Sequence, residues 1–156
     1  MAIVKDYDHT KGQAFQGDVC IFRVPDKLAK SLDRAGEVAP IEGRLILQAG
    51  EFSGHHHAIK LPQPVMFHDG ALAREFETAI STKAAARLFR DPQLAASLVN
   101  ANILTRTDLN IGFLEIEGGP MTVVHEEHDG IRLPDGLYYI GNQIESAGAE
   151  ERRVVD

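Results

Sequence analysis

The chain has 156 residues, of which 44% are hydrophobic and 25% are charged, and this composition is typical of a folded globular domain rather than a disordered chain. Its formal net charge of -7 at pH 7 disfavours nucleic acid as the main partner, because an acidic surface repels phosphates. The single cysteine, Cys20, excludes an intrachain disulfide and a cysteine-rich zinc framework. We expect one domain over residues 1–156, with peripheral arms at 1–14 and 147–156.

No membrane or secretory segment is predicted. The first residues, MAIVKDYDHTKGQ, contain no apolar stretch, and no window approaches the roughly 18 apolar residues that cross a bilayer. We therefore expect a cytoplasmic protein that has no membrane partner. Because exposed edge strands favour association, a homo-oligomer is the expected alternative to a monomer.

The first part of the chain is predicted to form strands separated by a short helix. Residues 17–24, GDVCIFRV, are rich in β-branched and aromatic side chains, as strands are. Residues 25–36 have leucines at helical spacing and predict a short helix. Residues 44–48 alternate as in a strand, and HHHAIKL at 55–61 is predicted to be the returning strand, since prolines follow it.

A helical insert is predicted around residues 71–102, where alanine, leucine, arginine and glutamate are frequent. Within it, STKAAARLF at 81–89 has a helical composition. Asp91 and Pro92 then stand at the preferred N-cap and first helical positions, so a second helix is expected to begin there.

The last third returns to strands. Residues 111–120 alternate between apolar and polar side chains, and the β-branched run MTVV begins at Met121. Residues 131–146 predict a hairpin whose turn is Pro134-Asp135-Gly136. Strands, a helical insert and strands again predict a mainly β fold, a small sandwich or barrel, with an α+β fold as the alternative.

Five of the seven histidines fall in two short clusters, and these are the main candidates for function. On a strand, His55 and His57 point to one face and His56 to the other, because side chains alternate. Two imidazoles on one face can serve one metal ion. In the second cluster, His125 and His128 flank two glutamates, and the preceding TVV favours a strand over a helix.

Together these clusters predict a divalent metal site formed by His55, His57, His125 and His128, with zinc, iron or manganese as the ion. Glu127 is the candidate catalytic base or an extra ligand, and the ion would act as a Lewis acid or activate water for small-molecule chemistry. Two alternatives remain open at this point. The histidines are hydrogen-bonded structural or pH-sensitive residues, or they lie at the subunit contacts of a non-enzymatic, self-assembling accessory protein of a phage or mobile element.

Two resemblances follow from these residues. The segments Gly17-Asp18-Val19, Gly50-Glu51 with Gly54-His55 and His57 to Ile59, His125 to Tyr138, and Gln143 with Glu145 resemble a set of uncharacterised short bacterial proteins with GHxH and HxEHxxIxLPxGxY segments. This resemblance implies that the two histidine clusters belong to one pattern, and it implies no reaction.

The weaker resemblance is to the cupin superfamily of small β-barrels, whose metal site uses an H-x-H pair, a glutamate and a later histidine. It is carried by His55 and His57, with His125 as a loose third position. The glutamate that cupins have shortly after the pair is replaced here by AIKL at 58–61.

Overall fold

The computed structural model describes residues 3–49, 56–61, 84–125, 128–147 and 150–153. The strands in these ranges are β1 Val4–Asp6, β2 Ala14–Gln16, β3 Val19–Arg23, β4 Glu37–Val38, β5 Arg44–Ala49, β6 His56–Lys60, β7 Ala85–Phe89, β8 Asn110–Glu117, β9 Met121–Val123, β10 Gly130–Leu133, β11 Gly136–Asn142, β12 Ile144–Ala147 and β13 Glu150–Arg153. The helices are α1 Asp26–Ala29 and α2 Pro92–Asn100. The prediction of a mainly β fold is confirmed.

The strands form sheets that are mostly antiparallel. The largest has the order β2-β3-β11-β8-β7-β4, and a second has the order β1-β10-β9, in which β1 runs parallel to β10. The β5-β6 pair adjoins β9 through an antiparallel bridge between Ala58 and Val124. The described strands do not close a barrel, so the barrel form of the prediction is wrong for them.

The central strand β11 of the six-stranded sheet is buried on both faces. Along β11, Tyr138 and Ile140 contribute to a core shared with strands β5, β6, β9 and β10, whereas Leu137 and Tyr139 pack on the side of the helices. Because neighbouring residues of a strand point to opposite faces, this burial requires an almost continuous apolar sequence. The order of layers is therefore helices, large sheet, and the smaller sheets that carry the histidines.

The helical prediction for residues 81–89 is wrong in its described part, because Ala85–Phe89 forms β7 between β4 and β8. Leu88 and Phe89 are completely buried there, and this pairing outweighs the helix preference of the alanines. The rest of the predicted insert, up to residue 83, lies outside the described residues. The second helix of the insert is confirmed as α2, with Asp91 as its N-cap.

The predicted hairpin over 131–146 is also wrong. β10 and β11 belong to different sheets, so Pro134 and Asp135 form a corner that carries the chain from one layer to the other. The Asp135 carboxylate accepts hydrogen bonds from the backbone amides of Gly118 and Gly119, and the Tyr138 hydroxyl donates to the Pro134 carbonyl at 2.7 Å. The turn residues were identified correctly, but they join two sheets.

The N-terminal segment forms more structure than the predicted arm at 1–14. Within it, β1 pairs with β10, and Tyr7 is buried with its ring edge-on to Tyr138 at 5.4 Å. At the other end, β12 pairs with β13. The apolar contact of Tyr7 explains why this polar segment is held against the domain.

We predict that Asp91→Ala lowers the free energy of unfolding by about 2 to 3 kcal/mol. The buried carboxylate accepts hydrogen bonds from the Leu94 amide at 2.9 Å and the Asp33 amide at 2.8 Å, so its removal leaves two donors without an acceptor. Urea unfolding measures the change. Asp33→Ala is the control, because it removes the exposed N-cap of the 3-10 turn Arg34–Gly36, and it should have less than half the effect. Equal effects of the two substitutions would contradict the prediction.

Candidate functional site

The bridge between Ala58 and Val124 places the two histidine clusters together. Their backbone amides exchange hydrogen bonds of 3.0 and 2.8 Å, so the register makes His57 and His125 direct neighbours across the antiparallel pair. Side chains at such positions have Cβ atoms roughly 5 Å apart. The ring centroids of His57 and His125 are 4.4 Å apart, and both residues are buried.

The third imidazole of this group is His128. Its ring centroid lies 4.5 Å from that of His125 and 6.3 Å from that of His57, and the residue is half-buried. We call His57, His125 and His128 the histidine cluster. The sequence left open whether its two segments meet within one subunit, and they do. Since His57 and His125 are buried inside a single chain, these two histidines do not form a surface for subunit contact.

Both ring nitrogens of His57 face polar side chains from the β2–β3 turn. Its Nδ1 lies 2.7 Å from Gln16 Oε1, and its Nε2 lies 3.0 Å from Asp18 Oδ1. Gln16 and Asp18 are buried, and Gly17 between them has a φ of 55°, which permits the tight turn that aims both side chains at one ring. A buried carboxylate beside an imidazole forms a polar centre within an otherwise apolar layer.

The far end of the His125–His128 segment is held by β1. The Lys5 ammonium is 3.0 Å from Asp129 Oδ2, and the Ile3 amide donates to Asp129 Oδ1 at 3.2 Å. The hydrogen bond from Lys5 and the one from Ile3 lower the pKa of the Asp129 carboxyl. The segment that carries His128 is therefore attached to the N-terminal strand.

The structure describes three of the five predicted site residues, His57, His125 and His128. His55 and Glu127, the latter being the candidate base, lie outside the described residues. The structure brings His57, His125 and His128 together. Sequence reasoning did not select Gln16 and Asp18; the signal for them was two polar residues flanking a glycine at the start of an apolar strand, a pattern that turns also produce.

The cluster is rich in ligand atoms, but they are not already arranged around one point. Within the described ranges, no group of three or more histidine, cysteine, aspartate or glutamate side chains has the geometry to hold a metal ion. The groups that are close are His57 Nε2 with Asp18 Oδ1, and the neighbouring rings of His125 and His128. Imidazole and carboxylate groups at such distances can share protons.

A separate groove of about 570 Å³ contains Cys20. Burial raises the pKa of its thiol to about 11. At pH 8 we therefore expect about a thousandth of the thiol to be thiolate. In urea the ordinary thiol pKa near 8.5 returns. Labelling of Cys20 by Ellman's reagent should therefore be more than about a hundredfold slower in the folded protein than in urea. Labelling rates within about tenfold of each other would contradict this; Cys20→Ser gives the blank.

A comparison with protein families decides the classification. A domain of unknown function, DUF8820, matches residues 15–143. The chain belongs to the DUF8820 family. The DUF8820 match includes Gln16, Asp18 and the whole histidine cluster, and it agrees with the predicted resemblance to uncharacterised proteins. Comparisons of this DUF8820 chain with curated proteins and with solved structures found no match, so the resemblance to cupins gains no support from them.

The described part of the DUF8820 chain contains no helix that is long and apolar enough to cross a membrane.

Proposed function

We propose that the domain binds a divalent transition-metal ion between His57, His125, His128 and Asp18. The observation that carries this proposal is the set of groups around His57. Its Nδ1 is held by Gln16, and its Nε2 faces the buried carboxylate of Asp18. Two further imidazoles lie beside the same ring. Metal-binding histidines commonly donate their second ring N–H to an oxygen acceptor, which orients the ring towards the ion.

The spacing of the rings supports the proposal. Metal–nitrogen bonds of about 2 Å place the centres of two imidazoles on one ion roughly 4 to 6 Å apart. The three centroid distances of 4.4, 4.5 and 6.3 Å are close to this range. Rotation of an imidazole about its Cβ–Cγ bond leaves the ring centre almost in place. Such a rotation of His125 and His128 would therefore redirect their nitrogens and leave the centroid distances almost unchanged.

The pair formed by His57 and Asp18 also has suitable spacing. With bonds of about 2.1 Å, two ligand atoms at a right angle around an ion lie roughly 3 Å apart. The measured separation between His57 Nε2 and Asp18 Oδ1 is 3.0 Å. An ion between these atoms would replace the proton that they otherwise share, which is how metal binding is coupled to proton release.

The donor set defines the ions and the chemistry we propose. Imidazoles and a carboxylate, without thiolate, suit zinc, iron or manganese. A bound ion with an open position would act as a Lewis acid or activate a water molecule on a small-molecule substrate. Glu127 remains the proposed base because it lies between His125 and His128 in the sequence, and His55 remains a proposed further ligand. The weaker resemblance to cupins points to the same use of the His55–His57 pair.

Metal analysis of tag-free protein tests the proposal. After incubation with zinc, manganese or anaerobic iron(II) and removal of free ion, we expect close to one equivalent of one ion in the wild type. The double variant His125→Ala/His128→Ala should retain less than about a fifth of it. His9→Ala, which removes an exposed histidine outside the cluster, is the matched control and should bind like the wild type.

Less than about a tenth of an equivalent of each ion in the wild type would refute the proposal, and so would uptake that the double variant leaves unchanged. Cobalt(II) substitution gives a second measurement, because the intensity of its visible bands reports coordination number. Bands that are lost in the double variant and kept in His9→Ala would support binding at the cluster.

A further inference from the structure

Gln16 makes contacts that connect the two segments of the histidine cluster. Its amide nitrogen donates to the Val123 carbonyl at 3.0 Å and to the Asp129 carbonyl at 2.9 Å, while its Oε1 lies 2.7 Å from His57 Nδ1. The side chain is buried, with 1% of its surface exposed. Val123 and Asp129 enclose the segment that carries His125 and His128. One amide therefore joins both ends of this segment to the His57 ring.

These contacts determine the orientation of the amide. A carbonyl oxygen only accepts hydrogen bonds, so the Gln16 NH₂ group must face Val123 and Asp129, and both of its hydrogens are then used. Its oxygen consequently faces His57. Because this oxygen is also only an acceptor, Nδ1 of His57 must carry a hydrogen for a bond of 2.7 Å to form. The contacts of Gln16 thus assign a hydrogen to Nδ1 of His57.

We infer that Gln16 is a positioning residue, which keeps a hydrogen on His57 Nδ1, aims Nε2 towards Asp18 and keeps His125 and His128 beside this ring. This role rests on the proposed function for its consequence on metal binding. An ion would replace the hydrogen between His57 Nε2 and Asp18, and the ring would already be turned with Nε2 towards it. Outer groups that orient a histidine ligand in this way commonly change metal affinity by 10- to 100-fold.

Two substitutions separate the contacts of Gln16. Gln16→Met fills a similar volume but has neither the acceptor for His57 nor the donors for the two carbonyls. Gln16→Glu keeps an acceptor for His57 Nδ1 but has no hydrogen for the Val123 and Asp129 carbonyls when ionised. If Gln16→Met does not fold, Gln16→Asn takes its place, because its amide is one methylene shorter and cannot span the same three partners.

The decisive measurement is a long-range ¹H–¹⁵N NMR spectrum of the histidine rings in metal-free protein, with His57 identified by the signals that His57→Gln loses. We expect a ring protonated at Nδ1 in the wild type and in Gln16→Glu. In Gln16→Met, we expect the Nδ1 and Nε2 shifts to change markedly, with Nδ1 losing its fixed hydrogen. A variant that merely loses stability would keep the wild-type pattern in its folded fraction.

Metal titration of the same proteins completes the test. We expect affinity to fall about 10- to 100-fold in Gln16→Met and by a smaller factor in Gln16→Glu. Unchanged His57 signals in Gln16→Met would overturn the inference, as would affinity within about twofold of the wild type. If the wild type takes up no ion, the proposed function fails, whereas the metal-free NMR pattern still decides whether Gln16 positions His57.

Discussion

His57→Ala is expected to lower the affinity for the divalent ion by at least about a hundredfold, which corresponds to roughly 3 kcal/mol of binding free energy. His57 is completely buried and is the residue that faces Asp18, Gln16 and the rings of both other histidines. The contact of Nδ1 with Gln16 fixes the position of Nε2, so the variant loses a ligand atom that the fold has already placed. Competition with a chromophoric chelator measures the affinity.

The control for this prediction is Ile59→Ala, on the same strand. Ile59 is also buried, and its truncation should destabilise the fold by about 2 to 5 kcal/mol through the cavity that it leaves. Because Ile59 contributes no ligand atom, the folded variant should bind the ion within a few-fold of the wild type. Similar losses of affinity in both variants would mean that metal binding responds to packing alone, and would contradict the role of His57.

Asp18→Ala is expected to lower the free energy of unfolding of the metal-free protein by about 1 to 3 kcal/mol, the usual cost of leaving a buried hydrogen-bonding group without its partner. The side chains of Asp18 and His57 are only 3% and 0% exposed, and their contact distance is 3.0 Å. Water therefore cannot solvate the His57 ring when the carboxylate is gone. Urea unfolding in the presence of a chelator measures the change without a contribution from bound ion.

A double-mutant cycle separates this contact from the general effect of burial. With Asp18→Ala, His57→Ala and the double variant, we expect a coupling energy of at least about 1 kcal/mol, because the second substitution removes the group that the first left without its partner. The pair of Asp6 and Arg132 has a similar separation of 3.2 Å but is 77% and 46% exposed, and its cycle should show almost no coupling. Additive effects at Asp18 and His57 would contradict the prediction.

The two cycles also bear on what holds the histidine cluster. The surface pair at Asp6 and Arg132 is screened by solvent, whereas the pair at Asp18 and His57 lies where screening is weak. A large coupling at the buried pair would therefore show that the polar centre is part of the folded core and is maintained without an ion. Metal would then enter a site that folding has already organised.

Several local features were predictable because they depend on neighbours in the sequence. The alternation of residues 44–48 and the apolar run after Gly17 predicted β5 and β3. Asp91 followed by Pro92 predicted the start of α2, since a cap acts on the amides of the next few residues. In each case the interaction that determines the element lies within a few positions of the chain.

Other features depended on partners far along the chain. Residues 85–89 have helical composition but form β7, because β4 and β8 offer hydrogen bonds and burial on either side. The turn at Pro134 was predictable, but the separation of β10 from β11 was not, since a turn sequence does not specify which strands pair on each side of it.

The histidine cluster, too, was predictable only in part. The sequence by itself determined that the chain is mainly β and that His57 and His125 are chemically suited to one site. Only the tertiary structure decided that they meet, through the bridge between Ala58 and Val124, and that Gln16 and Asp18 complete the polar centre. The physical reason is that periodicity gives the direction of a side chain on its own strand, whereas the register between distant strands follows from how the whole core packs.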